Sequence, residues 1–343
     1  MRDYRTMKFT SIQNLKSCVL PLLATSILLG VVAEAEAQFR PRVSLPVVPG
    51  TGKKINSVGD NFENEDWTYH PNLPKSSRNI DGQGRYPTGQ SNNGRIYESS
   101  YRGQPDLIKR ITTPAGGLPN SKGALLLRSL HTGVPKRSSL KSQQDDLLMN
   151  VGGIVGRLSV SRTPNFVVRV YFPSWDQWED ATDTAFGLRA SVVGTGFIHE
   201  GNKDKYKKKR FSLFSRSPKK ENEVFWPGMF VQFNSKTDGK NEEDSAMIII
   251  RSGPDGKDFV GPMIWNPGWW TMGMSFTPDG KAHYYASEGV DNLTTKDHIA
   301  SVHPYGSKIK YFSTFFFNIC NQNDGRTWST PFVIDDPEVF VVK

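Results

Sequence analysis

Residues 268–288 constrain the fold more than any other stretch, because they combine a turn signal with an alternating pattern of side chains. They read GWWTMGMSFTPDGKAHYYASE, and the turn signal is Pro278-Asp279-Gly280. Proline presets φ, the aspartate side chain can bond its own backbone, and glycine accepts a positive φ. Before the turn, large apolar residues alternate with their neighbours, which is the period of a strand with one buried face. We therefore predict a β-hairpin inside a larger sheet.

Other short runs with β-like patterns lie on both sides of this hairpin, and no long helical period appears. Residues 143–149 fit a helical turn or a loop equally well, and residues 291–298 are a candidate for one short helix. The pattern predicts an all-β fold, an antiparallel sandwich of two sheets. The further strand candidates are residues 124–130, 156–161, 166–172, 186–193, 229–234, 246–251, 311–318 and 333–342.

The first residues have the pattern of a targeting segment. A basic start precedes the apolar run 18–32, and Ala35-Glu36-Ala37 is a cleavage signal of small residues. The apolar run is shorter than the roughly twenty residues that a membrane-spanning helix needs. We predict a signal peptide over residues 1–37 and a mature chain without a membrane span that is secreted, periplasmic or on the cell surface. A membrane anchor is the alternative.

Two segments differ in composition from the predicted strands. Residues 38–58 mix Pro, Gly and Arg without a period, which predicts a leader or linker. Residues 200–222 hold most of the lysine runs, with Phe211 and Phe214 between them. We expect a solvated basic loop inserted between two strands, although basic residues interleaved with aromatics can also bind anions.

The chain has a formal net charge of +9. This surplus favours an acidic partner, such as a polysaccharide with sulfate or uronate groups, and a charge that serves only solubility is the alternative. Nucleic acid is not expected as a partner, because it fits poorly with export. After cleavage Cys320 is the single cysteine, so no disulfide can form within the mature chain.

Residues 269–280, together with the aromatic pair near 284, resemble the paired strands of concanavalin A-like jelly rolls. Family-16 glycoside hydrolases and laminin-G-like domains carry a similar run. Phe62-Glu63 and residues 334–339 are similar to the first and last strands of that superfamily, which lie side by side. The resemblance implies one jelly-roll domain over residues 59–343, with the basic insertion at 200–222. It also implies a concave face that grips glycans in relatives, although a fold does not determine a function.

The whole mature chain also resembles an uncharacterised family of secreted planctomycete proteins. The segments that carry this second resemblance are LPKSS at 73–77, RGQPD at 102–106 and DGRTWS at 324–329.

The catalytic alternatives come from two related enzyme families. The E-x-D-x-x-E pattern of family-16 hydrolases does not occur. The resemblance to family-7 polysaccharide lyases implies Arg189, Gln232, Asn234 and Tyr285 as loose counterparts of that site, with Asn234 where the family has a histidine. A lyase or glycoside hydrolase with a non-standard site is therefore an alternative, and a structural envelope protein is a second one.

The leading hypothesis is binding of an extracellular or envelope polysaccharide without catalysis. Such binding needs aromatic planes for the sugar rings, and amide or guanidinium groups for the hydroxyls, in a preformed cleft. Polar residues that alternate with apolar ones in several predicted strands could share one face of a sheet and form a polar platform. Tryptophans in the loops could border this platform. Outward exposure of the polar residues and core packing of the tryptophans are the alternatives. The predicted glycan-binding residues are Arg169, Tyr171, Arg189, Gln232, Asn234, Tyr285, Asn318, Trp175, Trp178 and Trp226.

Four acidic residues from the two strands expected to be neighbours form a candidate calcium site. They are Asp60, Glu63, Asp335 and Asp336, and clustered oxygen ligands suit Ca²⁺. Capping of turns is the alternative role for these carboxylates. No other cofactor is expected, because the six histidines have no H-x-H or H-x-x-x-H spacing.

Overall fold

The computed structural model describes residues 44–343, apart from residues 87, 140, 196–221 and 254–257. The predicted signal peptide and nearly all of the predicted basic insertion therefore lie outside the described residues, and both stay predictions. Strands dominate the part that is described. In chain order they are β1 (Lys53–Lys54), β2 (Tyr69–His70), β3 (Gln90–Ser91), β4 (Ile96–Glu98), β5 (Leu107–Thr112), β6 (Gly123–Arg128), β7 (Gln143–Met149), β8 (Leu158–Ser159), β9 (Pro164–Phe172), β10 (Asp183–Thr195), β11 (Asn222–Phe225), β12 (Gly228–Asn234), β13 (Ser245–Arg251), β14 (Asp258–Ile264), β15 (Gly268–Phe276), β16 (Ala282–Glu288), β17 (His298–Val302), β18 (Lys308–Asn321) and β19 (Phe332–Val341).

Helical structure is limited to short turns. The α-helix α1 spans Val151–Val155. The expectation of a helical turn or a loop at residues 143–149 is wrong, because these residues form strand β7. The helix considered for residues 291–298 is a single 3₁₀ turn, Thr295–Asp297, directly before β17. The other 3₁₀ turns are Val160–Arg162, Trp175–Gln177, Lys236–Asp238 and Pro304–Gly306. No helix of the described part is long and apolar enough to cross a membrane.

The strands form two sheets in which every pairing is antiparallel. The first sheet has the order β17-β16-β15-β9-β19-β6-β5, with β1 paired to β19. The second sheet has the order β14-β13-β12-β10-β18-β7-β4-β3-β2, with β11 and β8 paired to β10 and β18. Apolar side chains from both sheets meet between them, for example Phe166 and Phe315, whose ring centroids are 4.3 Å apart. The predicted two-sheet sandwich is confirmed.

The predicted hairpin is present as β15 and β16, which pair through Met274 and Tyr284. The expectation of one buried face is incomplete, because nearly every residue of β15 is buried. Residues before β1 cover its outward face: Ser275 donates a hydrogen bond to the carbonyl of Val47 at 2.5 Å. A Cβ at Gly273 would lie 2.6 Å from Cβ of Pro49, so glycine is what lets this segment lie on the sheet.

The two ends of the domain lie side by side, but not through the residues expected. Lys53 and Lys54 pair with β19, whereas Phe62 is a buried loop residue with a φ of 54°. Lys53 and Lys54, inside the segment 38–58 that was predicted to be a leader or linker, thus pair with the sandwich. A short segment without hydrophobic periodicity can still pair through its backbone, and the predicted start of the domain at residue 59 stays a prediction.

Candidate functional site

A cleft of about 770 Å³ opens on the outward face of the second sheet. The floor of the cleft consists of side chains that point away from the core, because successive side chains of a strand point to opposite faces. In β10, Phe186 and Leu188 enter the core, so Arg189 points outward. In the same way β7 presents Asp146 and β18 presents Phe316. The volume is within the range of known ligand pockets, about 300–1,000 Å³.

The walls of the cleft come from segments outside the central strands. Tyr97, Tyr101 and Arg102 lie on one side, in the long stretch between β2 and β5. Val224 and Trp226 lie on the other side, in and after β11, and the Trp226 side chain is 45% exposed. Aromatic side chains thus line the cleft on both sides, and such side chains can stack on sugar rings.

Asp146 is the acidic residue among the described side chains that line the cleft. Gln144 and Asn318 both donate to its Oδ1, at 2.9 Å and 2.6 Å. Within the described residues, the hydrogen bonds to this carboxylate end on Oδ1, so Oδ2 can accept one from a ligand. Burial raises the pKa of Asp146, and the positive charge of Arg189 acts in the opposite direction.

Arg189 is held in one orientation. Its Nε and Nη2 donate to the backbone carbonyl of Trp226 at 3.1 Å and 2.7 Å. Its guanidinium carbon lies 5.3 Å from the ring centroid of Phe230 and 5.5 Å from that of Phe316. Contacts of this kind stabilise a cation by about 0.5–2 kcal/mol each. The guanidinium is thus positioned before any ligand arrives.

Five of the ten predicted glycan-binding residues share the outward face of the second sheet. Arg189 and Trp226 line the cleft. Asn318 is not among the lining residues, but it donates a hydrogen bond to Asp146, which is. Gln232 and Asn234 lie in the adjacent strand β12, bonded to each other at 3.3 Å, and are not among the lining residues. The predicted platform is therefore present in part, and its centre is displaced from β12 toward β7.

Three predicted residues lie on the opposite sheet. Arg169 and Tyr171 are in β9 and Tyr285 is in β16, all on the outward face of the first sheet. Arg169 donates to Asn292 at 2.9 Å, and Tyr171 packs on Trp269. The structure therefore does not bring these three residues onto one face with Arg189. The four counterparts of the lyase site, Arg189, Gln232, Asn234 and Tyr285, are likewise not brought together. Tyr285 lies on the first sheet, and the other three lie on the second.

Trp175 and Trp178 close the core at one end of the sandwich. Trp178 is buried, packs 5.0 Å from Phe233, and donates its Nε1 to the carbonyl of Pro173 at 2.8 Å. Trp175 stacks on the same phenylalanine at 5.8 Å. These tryptophans therefore follow the alternative of core packing and do not border the cleft.

The sequence reasoning missed several lining residues, among them Tyr97, Tyr101 and Asp146. One signal for Asp146 was present: Gln144, Asp146 and Leu148 alternate with the inward-facing side chains of β7. Tyr97 alternates with the buried Ile96 and Glu98 in β4, but a strand of three residues gives no clear period in the sequence. Tyr101 lies in the loop after β4, and only the folded path of that loop brings it to the cleft.

Three of the four candidate calcium ligands accept hydrogen bonds through their side chains, and the backbone N–H of the fourth, Asp336, donates to Asp335. Asp60 accepts from Trp67 Nε1 at 3.0 Å, Glu63 accepts from the backbone of Lys122 at 2.8 Å, and Asp335 accepts from Ser121 at 2.7 Å. Across the described residues, no group of three His, Cys, Asp or Glu side chains is arranged to hold a metal ion. These contacts are those expected of capping residues, and the calcium site stays a prediction.

A pH-dependent contribution to stability follows from Asp335. Burial raises its pKa from 3.8 to about 7. The folded protein keeps this proton up to about pH 7, while the unfolded chain releases it near its ordinary pKa. The contribution is therefore complete below that ordinary value and is lost as the pH rises through about 7.

We expect the wild type to be stabilised relative to Asp335→Asn at low pH. This difference in unfolding free energy should decrease as the pH rises from the ordinary pKa of 3.8 to about 7. Urea unfolding at several pH values measures the difference. A difference that is constant with pH would contradict the raised pKa.

The fold and the cleft together define a class: an antiparallel β-sandwich of two sheets, with an open cleft on the outward face of one sheet. No protein-family model and no curated protein matches the sequence. The resemblance to secreted planctomycete proteins therefore stays a prediction.

Solved structures with similar architecture include a carbohydrate esterase, an alginate lyase and a lectin. The esterase, from the Shiga toxin-encoding bacteriophage phi24B, is 9% identical, with a TM-score of 0.42 over 85% of this chain and 100% of its own. The alginate lyase from Pseudomonas aeruginosa is 9% identical, with a TM-score of 0.32 over 70% and 85%. Peanut lectin is 8% identical, with a TM-score of 0.32 over 68% and 96%. At these values the likeness carries no argument about what this chain binds.

Proposed function

We propose that this protein binds a polysaccharide in the cleft of the second sheet, outside the cell or in the cell envelope. The observation that carries the proposal is the combination of groups in one cleft. An oriented guanidinium and a carboxylate oxygen lie on the floor, at Arg189 and Asp146, and aromatic rings lie on both walls. The two polar groups match sugar hydroxyls and acidic substituents, and the rings match the apolar faces of pyranoses.

The charges of the cleft favour an anionic polysaccharide. Its described lining contains three arginines, Arg102, Arg157 and Arg189, and the single carboxylate Asp146. Arginine binds carboxylate and sulfate groups through paired N–H donors. Binding is therefore expected to weaken as salt is added, because added ions screen exposed charges.

Binding of the mature protein to polygalacturonate, dextran sulfate and neutral dextran, measured by calorimetry at low and high salt, tests this proposal. We expect the anionic polymers to bind more tightly than dextran. Trp226→Ala should weaken binding about tenfold, because it removes an aromatic wall and keeps the backbone carbonyl that holds Arg189. Trp265→Ala is the matched control, since Trp265 is 61% exposed and lies outside the cleft lining.

Two results would overturn the proposal: no binding to any polymer on a broader glycan array, or equal binding by the Trp226→Ala variant and the wild type. Assays for new reducing ends and for unsaturated uronates on the same samples separate binding from cleavage. Product in either assay would favour the alternative of a hydrolase or a lyase.

A further inference from the structure

One end of the cleft continues onto an exposed group of three side chains, Arg78, Tyr86 and Tyr101. The guanidinium carbon of Arg78 lies 5.6 Å from the ring centroid of Tyr86 and 5.7 Å from that of Tyr101. Tyr86 is 66% exposed and Tyr101 is 53% exposed. Tyr101 also lines the cleft, so this group, the outer stack, joins the cleft directly.

The backbone holds the outer stack in place. The hydroxyl of Ser77 donates to the carbonyl of Tyr101 at 2.7 Å, and the backbone N–H of Asn79 donates to the same oxygen at 3.1 Å. Arg78 Nη2 donates to the Tyr86 hydroxyl at 3.3 Å. These hydrogen bonds hold the side chains of the outer stack in place before a ligand binds. A ligand that binds to the stack therefore does not have to order them, and the entropic cost of binding is reduced.

The charge of Arg78 is available to a ligand. Among the described residues, no acidic side chain forms an ion pair with it. A cation beside exposed aromatic rings can pair with an acidic group while the rings cover an apolar surface. A sugar unit with a carboxylate or sulfate group presents both features.

We propose that the outer stack is a second subsite, which binds an anionic sugar unit of the same polysaccharide chain after that chain leaves the cleft. The inference rests on the proposed function, since it requires a chain in the cleft. Its consequence is a dependence on length: a chain that reaches the stack binds more tightly than one confined to the cleft, because the second contact is intramolecular.

The test compares a galacturonate trimer, which is short enough to stay in the cleft, with a galacturonate decamer. The variant Arg78→Gln/Tyr86→Ala changes two exposed residues outside the cleft lining. We expect it to bind the decamer about tenfold more weakly than the wild type does, and to bind the trimer with unchanged affinity. Tyr86→Phe keeps the ring and should bind the decamer nearly as well as the wild type.

The outcomes distinguish this inference from the proposed function. If the double variant binds both probes as the wild type does, the subsite is refuted and binding in the cleft stands. If the double variant weakens both probes equally, the stack belongs to the cleft itself, and a separate subsite is again refuted. A wild type that binds neither probe overturns uronate binding and this inference together.

Discussion

Replacing Lys75 with methionine is expected to lower the free energy of unfolding by about 3–5 kcal/mol, the usual effect of removing one partner of a buried ion pair. Lys75 and Asp145 are both buried, with Nζ and Oδ2 2.6 Å apart. Asp145 also accepts from Ser129 at 2.6 Å and from the backbone of Gly133 at 2.7 Å. Without the lysine, the carboxylate must stay buried without its cation or take up a proton, and either change costs stability.

Urea unfolding followed by circular dichroism measures this loss. Lys54→Met is the matched control, because Lys54 forms an exposed ion pair with Glu338 that should be worth about 0–1 kcal/mol. The double variant Lys75→Met/Asp145→Asn should regain part of the loss, since it no longer buries a charge. Equal destabilisation by the two lysine variants would contradict this account of the pair.

Asp146→Asn is expected to weaken binding of polygalacturonate by about ten- to a hundredfold, because a hydrogen bond to a charged group contributes about 1.5–3 kcal/mol. The substitution keeps an oxygen that can accept from Gln144 and Asn318, so the floor of the cleft should keep its shape. It removes the negative charge and converts one of the two carboxylate oxygens, both acceptors, into an amide donor.

Calorimetric titration measures this change in affinity, and the thermal midpoint checks that the fold is retained. Gln232→Ala is the control, since Gln232 lies on the same outward face but outside the lining. An affinity that Asp146→Asn leaves unchanged would remove Asp146 from the site. A loss for Gln232→Ala of similar size would move the site toward β12.

The candidate site was predictable only in part, and β9 and β10 show the reason. Arg169 and Arg189 each alternate with apolar residues in a strand, so each is correctly placed on an outward face. These strands are consecutive in the chain but belong to different sheets, so their outward faces point away from each other. The alternation of side chains within a strand is a local property that the sequence shows. Which sheet a strand joins depends on pairing with strands that are distant in the chain.

Strand β7 shows a second limit. Its inward-facing Asp145 breaks the pattern of apolar residues that marks a buried face, and the sequence therefore left residues 143–149 undecided. A buried carboxylate is tolerated there because Lys75 reaches it from 70 positions earlier in the chain. Pairing of this kind cannot be inferred from the pattern of either segment alone.

The sequence by itself determined the all-β class, the central hairpin and the two-layer sandwich, because period-two alternation and turn chemistry act between near neighbours. The tertiary structure alone decided which outward-facing side chains meet. The cleft exists because β4 pairs with β7, and β4 together with the loop after it brings Tyr97, Tyr101 and Arg102 beside Asp146 and Arg189. Contacts between residues so distant in the chain leave no local pattern in the sequence.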